Sequence, residues 1–203
     1  MLYLLILLGC IGIGISSFGL FVPYIHQLDF SSVNWLSIHR SEFINPIAMG
    51  LSTLGGLPGT LLILTIWCLH QAWYKKYVNI LFISAGIIGS ATIGWILKFL
   101  VNRPRPETMY QMVKVYGASF PSAHSIYAMT VACLVIFIFY KHRKAKMIIL
   151  LVSIWWLSMG VSRVYLGAHF PTDVLAGWSI GLIWIATLRL WISHRKFGKN
   201  NYF

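Results

Sequence analysis

The sequence predicts an all-α integral membrane bundle with six transmembrane helices, on three observations. Hydrophobic residues make up 58% of the chain and charged residues only 10%, with a mean hydropathy of +0.75. A soluble domain carries about 25% charged residues. The apolar residues gather in six runs, roughly 2–22, 47–70, 78–98, 122–140, 147–166 and 174–192, each long enough to cross a bilayer as a helix. Backbone polar groups in hydrocarbon must be satisfied within helices or closed barrels, and long continuous runs fit helices. The charges, finally, sort by side. With the N-terminus in the cytoplasm, Lys75, Lys76, Lys141, Arg143, Lys144, Lys146, Arg195, Lys196 and Lys199 fall in cytoplasmic segments. The four acids, Asp29, Glu42, Glu107 and Asp173, fall outside. This positive-inside pattern sets the orientation, with both termini cytoplasmic in a multi-pass plasma membrane protein. The net charge of +12 therefore marks topology and contact with anionic membrane lipids rather than nucleic-acid binding. Without a long polar insert or a convincing repeat, residues 1–203 read as one domain.

The first run lacks the basic start and small-residue cleavage site of a secretory signal and reads as an uncleaved span ended by Pro23. Residues 24–45 mix aromatics such as Tyr24, Phe30 and Trp35 with Asp29, Arg40 and Glu42, as expected of an outer amphipathic connector at the headgroups. Asn45-Pro46 resembles a cap and first turn for the second span, and Pro58, within Gly55-Gly56-Leu57-Pro58-Gly59, should kink it. In the third span Gly86, Gly89, Ser90 and Gly94 offer a small-residue packing face. The sixth span begins at Pro171 and ends in a basic, frayed tail. Cys10, Cys68 and Cys133 lie far apart within spans and act as packing residues, with neither a disulfide framework nor a metal spacing.

Chemistry concentrates on the outer side, in the 98–124 loop and the 162–173 turn. Lys98, Arg103 and Arg105 place three cations in eight residues where positive charge should be scarce. One snorkelling anchor is ordinary; three together point to a bound anion, with Arg as a planar fork for phosphate oxygens and Lys as a point charge. Pro121 opens the fourth span, so the free N–H groups near Ser122, Ala123 and His124 face outward and suit an anion. In Ser162–Asp173 an Arg, a His and an acid lie together. Pro171 fits a first helical turn and Asp173 the positive end of its dipole, with His169 four residues before it. Lys98, Arg105, Arg163 and Ser122 would cradle a dianionic phosphate. His169, held by Asp173, would attack phosphorus, and His124 would protonate the leaving oxygen.

Lys98-(six residues)-Arg105-Pro106, Pro121-Ser122-Ala123-His124 and Ser162-Arg163-(five)-His169-(three)-Asp173 resemble the three signature motifs of the type 2 phosphatidic acid phosphatase family. Members of this family share their site with chloroperoxidase-type vanadium enzymes. The resemblance implies a membrane lipid phosphatase working through phosphohistidine, with no metal or other cofactor. It carries His169 as nucleophile, Asp173 as its orienting partner and His124 as general acid. Lys98, Arg105, Ser122, Ala123 and Arg163 match the phosphate-binding positions. Ala123 stands where the family usually has Gly; a backbone N–H survives the change. Arg103 lies outside the motif positions and reads as a bystander.

The implied substrate is a lipid phosphate, for a phosphatidylglycerophosphate-type phosphatase of broad specificity first, with undecaprenyl diphosphate as the alternative. No protein partner is predicted. A zinc hydrolase using His124, His169 and Asp173 is disfavoured because nearby cations repel a divalent metal. A non-catalytic lipid-phosphate transporter or sensor remains the alternative from another class, although transporters place charges at mid-membrane depth.

Overall fold

Each of the six apolar runs is helical in the computed structural model, which describes residues 1–199, and one run is split in two. The helices are α1 (Leu2–Phe21), α2 (Pro23–Ile38), α3 (Ile44–Gly55), α4 (Leu57–Trp73), α5 (Tyr77–Val101), α6 (Ala123–Phe139), α7 (Ala145–Tyr165) and α8 (Pro171–Lys199). A 3-10 turn, Thr108–Tyr110, punctuates the loop after α5. The basic tail, expected to fray, continues α8 as helix to Lys199; residues 200–203 lie outside the described residues.

Four helices, α1, α5, α7 and α8, are long and apolar enough to cross a membrane, and the α3–α4 pair makes five if counted as one bent span. The chain is thus a multi-pass membrane protein. The fourth expected span, α6, is short: its 17 residues rise about 26 Å against the ~30 Å hydrocarbon core. It runs through the middle of the bundle, packed on α5, α7 and α8, with Ile126, Ala132 and Leu134 all within 1% of complete burial. A helix shielded by its neighbours need not match the lipid thickness itself.

The bend between α3 and α4 measures 61°. Pro58 has no N–H for the Leu54 carbonyl, and its ring would collide with a continuing helix. The chain therefore breaks at Gly56 in an extended conformation, and Pro58 sits in the first turn of α4. Asn45 does not cap α3 as expected. The helix begins at Ile44 without a side-chain cap, and Asn45 Oδ1 instead accepts the Tyr165 hydroxyl at 2.7 Å.

α1 and α8 form the most intimate pair. Gly9, Gly12, Ser16 and Gly19 are the buried residues of α1, and three of them lie against Ile183, Ser179 and Thr172 of α8. Side chains larger than hydrogen at these glycines would hold the helices apart, the usual use of small residues in membranes. α2 turns Asp29 and Val33 inward and leaves Tyr24, Leu28, Trp35 and Ile38 exposed. Asn102 ends α5 in a left-handed conformation (φ 44°), which Asn tolerates better than most residues. The chain then leaves the helix axis to deliver Arg103 and Arg105.

Candidate active site

Helix ends build the site. The Ser122 N–H donates to the Asp173 carbonyl at 3.0 Å, so the first turns of α6 and α8 lie side by side. The C-terminal ends of α5 and α7 supply Lys98 and Arg163 beside them.

His169 lies in the α7–α8 turn, 2% exposed. Its Nδ1 faces Asp173 Oδ2 at 3.7 Å, an ion-pair distance rather than a hydrogen bond. Its Nε2 faces Arg105 Nη1 at 3.3 Å. Burial foremost, and the Arg105 and Arg163 charges next, push the imidazole pKa down to about 3, against the opposing pull of Asp173. The ring is therefore a neutral base with Nε2 turned to the cations. Arg105 is held by three carbonyls, of Gly117 (2.8 Å), Ala168 (2.7 Å) and Tyr116 (2.8 Å). Lys98 Nζ donates to the Ala118 carbonyl at 2.6 Å. Lys98, Arg105 and Arg163 lie close enough to feel one another's charge, and like charges gathered this way favour an anion among them.

Asp173 is fully buried and its oxygens are shared out. Oδ2 accepts the Ser119 hydroxyl (2.5 Å) and the Phe170 N–H (2.9 Å). The second bond runs from the third helical residue back to the residue before the helix, half of a capping box. Oδ1 accepts Arg103 Nη1 at 2.6 Å. Ser119 also approaches His169 Nδ1, at 3.5 Å. The expectation that Asp173 holds His169 is thus refined, with the Ser119 hydroxyl beside both. Sequence reasoning missed Ser119, which occupies no motif position and differs in nothing from a loop serine.

The reading of Arg103 as a bystander is corrected. It is 6% exposed and bridges Asp173 to Asp29 Oδ2 at 2.8 Å, with Gly19 O at 3.1 Å and Thr172 Oγ1 at 2.8 Å. A buried guanidinium must be paired to offset its desolvation, and here it has two carboxylates.

His124 and Arg163 share a partner on α3. His124 Nε2 donates to the Ser52 carbonyl at 3.0 Å, and Arg163 Nη1 donates to Ser52 Oγ. The last four carbonyls of a helix lack helical partners, so the break at Gly56 frees Ser52 O for this use. Arg163 Nε is buried with no hydrogen-bond partner among the described residues. Ser122 Oγ accepts the Ser125 hydroxyl at 3.0 Å and does not cap α6, which leaves the N–H groups of Ala123, His124 and Ser125 without acceptors among the described residues. Among the described residues no three His, Cys, Asp or Glu side chains come together as a metal-binding group; the local positive charge comes from Lys and Arg.

Residues 73–197 match the model of the PAP2 superfamily. The chain belongs to the PAP2 superfamily. Phosphatidylglycerophosphatase B of Bacillus subtilis strain 168 is 30% identical over 149 residues, covering 71% of this chain and 73% of that protein. Undecaprenyl-diphosphatase BcrC of the same strain is 28% identical over 160 residues, covering 76% of this chain and 77% of that protein. The crystal structure of a transmembrane PAP2-type phosphatidylglycerolphosphate phosphatase from Bacillus subtilis superposes with a TM-score of 0.82 at 25% identity, over 95% of this chain and 94% of that one. The fold is that of the PAP2 membrane phosphatases, and the three motif segments, residues 98–173, lie wholly inside the matched range.

Proposed function

We propose that the chain removes the terminal phosphate of a lipid phosphate at the outer face of the membrane, through a phosphohistidine on His169. One observation carries this reading: the neutral His169 turns Nε2 towards Arg105, at 3.3 Å, and Nδ1 towards Asp173. A base so oriented attacks a phosphorus whose oxygens lie among Lys98, Arg105, Arg163 and the free N–H groups of α6. Cations and N–H groups fixed in advance stabilise charge on the equatorial oxygens, the main demand of phosphoryl transfer. His124 gives the leaving lipid oxygen a proton from Nδ1, as an imidazolium charged beside the bound phosphate dianion with Nε2–H held on Ser52 O, the P–O bond breaking as the P–N bond forms. Water then attacks phosphorus, gives its proton back to His124 and releases phosphate from His169. Ala123 takes part through its N–H alone.

Six spans, with both termini in the cytoplasm, make this one outward-facing unit. Phosphatidylglycerophosphate is the first substrate, supported by likeness to the Bacillus subtilis phosphatidylglycerophosphatase over about seven-tenths of both chains. Undecaprenyl diphosphate is the second, supported by comparable coverage of the diphosphatase. Turnover of phosphatidylglycerophosphate, undecaprenyl diphosphate and phosphatidic acid by the purified protein, with His169→Ala as control, tests the proposal. Preference for the first lipid is expected. Turnover of all three by His169→Ala would remove the mechanism, and preference for the diphosphate would exchange the two substrates.

A further inference from the structure

We propose that Asp29, on α2, is a positioning residue for the nucleophilic pair, acting on Asp173 through Arg103. The inference rests on the reading of His169 as nucleophile and adds a residue outside the motif segments and outside the matched range of 73–197.

Two observations support it. The first is a problem at the start of α8. The residue preceding Pro171 is Phe170, which has no side-chain oxygen with which to cap the helix. Asp173 reaches back to the Phe170 N–H, but the Thr172 N–H, another of the orphan donors of a first turn, remains. Asp29 Oδ1 accepts it at 3.1 Å, and Asp29 Oδ2 accepts the Thr172 hydroxyl. A carboxylate from α2 thus caps the helix that carries Asp173, where negative charge also suits the helix dipole.

The second is charge. Arg103 spreads its fork across both acids, Nη1 on Asp173 Oδ1 at 2.6 Å and Nη2 on Asp29 Oδ2 at 2.8 Å. Its Cζ lies 4.4 Å from the centre of the Phe170 ring, and Asp29 is 3% exposed. Two carboxylates on one guanidinium leave a net charge of minus one. His169 becomes positively charged as its Nε2 bonds to phosphorus, and Asp173 can support that charge only if Arg103 does not cancel it. Asp29 supplies the second negative charge. Without it Arg103 and Asp173 form a closed neutral pair, and the ring 3.7 Å away loses its counter-ion. Asp29 touches neither substrate nor the reacting atoms; it acts through its neighbours.

The test is a double-mutant cycle in purified, detergent-solubilised full-length protein, reading kcat, KM and thermal unfolding with a phosphatidic acid substrate. Asp29→Asn keeps the shape, removes the charge and leaves one of the two acceptor oxygens, so it retains either the Thr172 N–H bond or those on Oδ2. It should lower kcat about tenfold with KM little changed. In an Asp173→Asn background the same substitution should cost much less, because its effect passes through Asp173. A purely structural role would lower the unfolding temperature and add independently of Asp173→Asn. Wild-type kcat in Asp29→Asn, or full additivity, overturns the proposal. If Asp29→Asn does not fold, Asp29→Glu displaces the carboxylate by one methylene and should still lower kcat severalfold; wild-type kcat there overturns it equally. His169→Ala separates the two levels of inference. Turnover surviving in that variant sinks the nucleophile assignment, whereas an inactive His169→Ala beside a fully active Asp29→Asn sinks only the role of Asp29.

Discussion

Ser52 and His124 are joined by a 3.0 Å hydrogen bond from the imidazole Nε2 to a backbone carbonyl that the break at Gly56 leaves free. The two histidines are therefore anchored in opposite senses. His169 directs Nδ1 to its support and Nε2 to the cations, while His124 commits Nε2 to α3 and keeps Nδ1 for chemistry.

The two histidines should separate by leaving group. His169→Ala removes the covalent route and should abolish turnover of every ester. His124→Ala should cost about 10²–10⁴-fold on a lipid ester, whose alkoxide needs a proton, and much less on p-nitrophenyl phosphate. Equal losses on both esters would contradict a leaving-group role. Acid-labile label recovered on His124 instead of His169 would reverse the assignments.

Ser52→Ala keeps the carbonyl that holds His124 and removes the hydroxyl that holds Arg163. Phosphate binding should suffer more than protonation. KM should rise by about tenfold to a hundredfold, as for loss of one hydrogen bond to a charged group, with kcat spared and the His124-dependent ester discrimination intact. A fall in kcat confined to lipid esters would show that the hydroxyl serves His124 instead.

His169 should make the fold acid-sensitive. Its folded pKa lies near 3, below the ordinary ~6.5 of the unfolded chain. The unfolded state thus binds more protons between these values, and stability must rise with pH across that window. The contribution is lost as pH falls from about 6.5 towards 3. Thermal unfolding at pH 7.5 and 4.5 should show a smaller acid-induced drop in His169→Gln than in the wild type. Equal drops would mean that the ring is already charged in the folded protein.

Activity should survive EDTA, since Lys98, Arg105 and Arg163 supply the charge that a metal provides elsewhere. Vanadate should inhibit by resembling five-coordinate phosphorus. Loss of turnover in EDTA that zinc or magnesium restores would favour a metal-assisted hydrolysis.

Orientation can be read by labelling. Tyr116 is 81% exposed in the loop that holds Arg105, and Arg143 is exposed in the α6–α7 loop. In a background lacking Cys10, Cys68 and Cys133, an impermeant reagent on intact cells should label Tyr116→Cys quickly and Arg143→Cys hardly at all. The converse would invert the topology.

The motif residues and helix starts were legible because they follow from local rules: Pro121 and Pro171 near helix starts, cations on the wrong side, His169 four residues before Asp173. The split of α3 from α4 was half legible, since Pro58 announces a kink but not the use made of the freed Ser52 carbonyl. Ser52, Ser119 and Asp29 were illegible. Each acts through a partner far along the chain, 72 residues from Ser52 to His124 and 143 from Asp29 to Thr172, and such pairings appear only once helices are packed. Arg103 was misread for the same reason: its spacing matches no motif, and its importance lies in the two acids it finds. The seam of Gly9, Gly12 and Gly19 was likewise recognisable as a stripe only after α8 lay against it.

The distance in sequence between Asp29 and its partners has a consequence for how the protein is made. Asp29 emerges early, yet Arg103 follows 74 residues later and Thr172 143 residues later. Until the final helix arrives, Arg103 has only one of its two carboxylates, Asp29, and Asp29 lacks the Thr172 N–H that it caps. Synthesis therefore runs through a stage in which every helix but the last is in place while this end of the bundle still lacks the second acid on Arg103. Arrival of α8 completes it in one event, bringing Thr172 and Asp173 to α2 and Arg103 as it zips along the glycines of α1. A chain stopped before Pro171 would keep most of its membrane segments and the Asp29–Arg103 pair, but lack Asp173, the second carboxylate on that guanidinium.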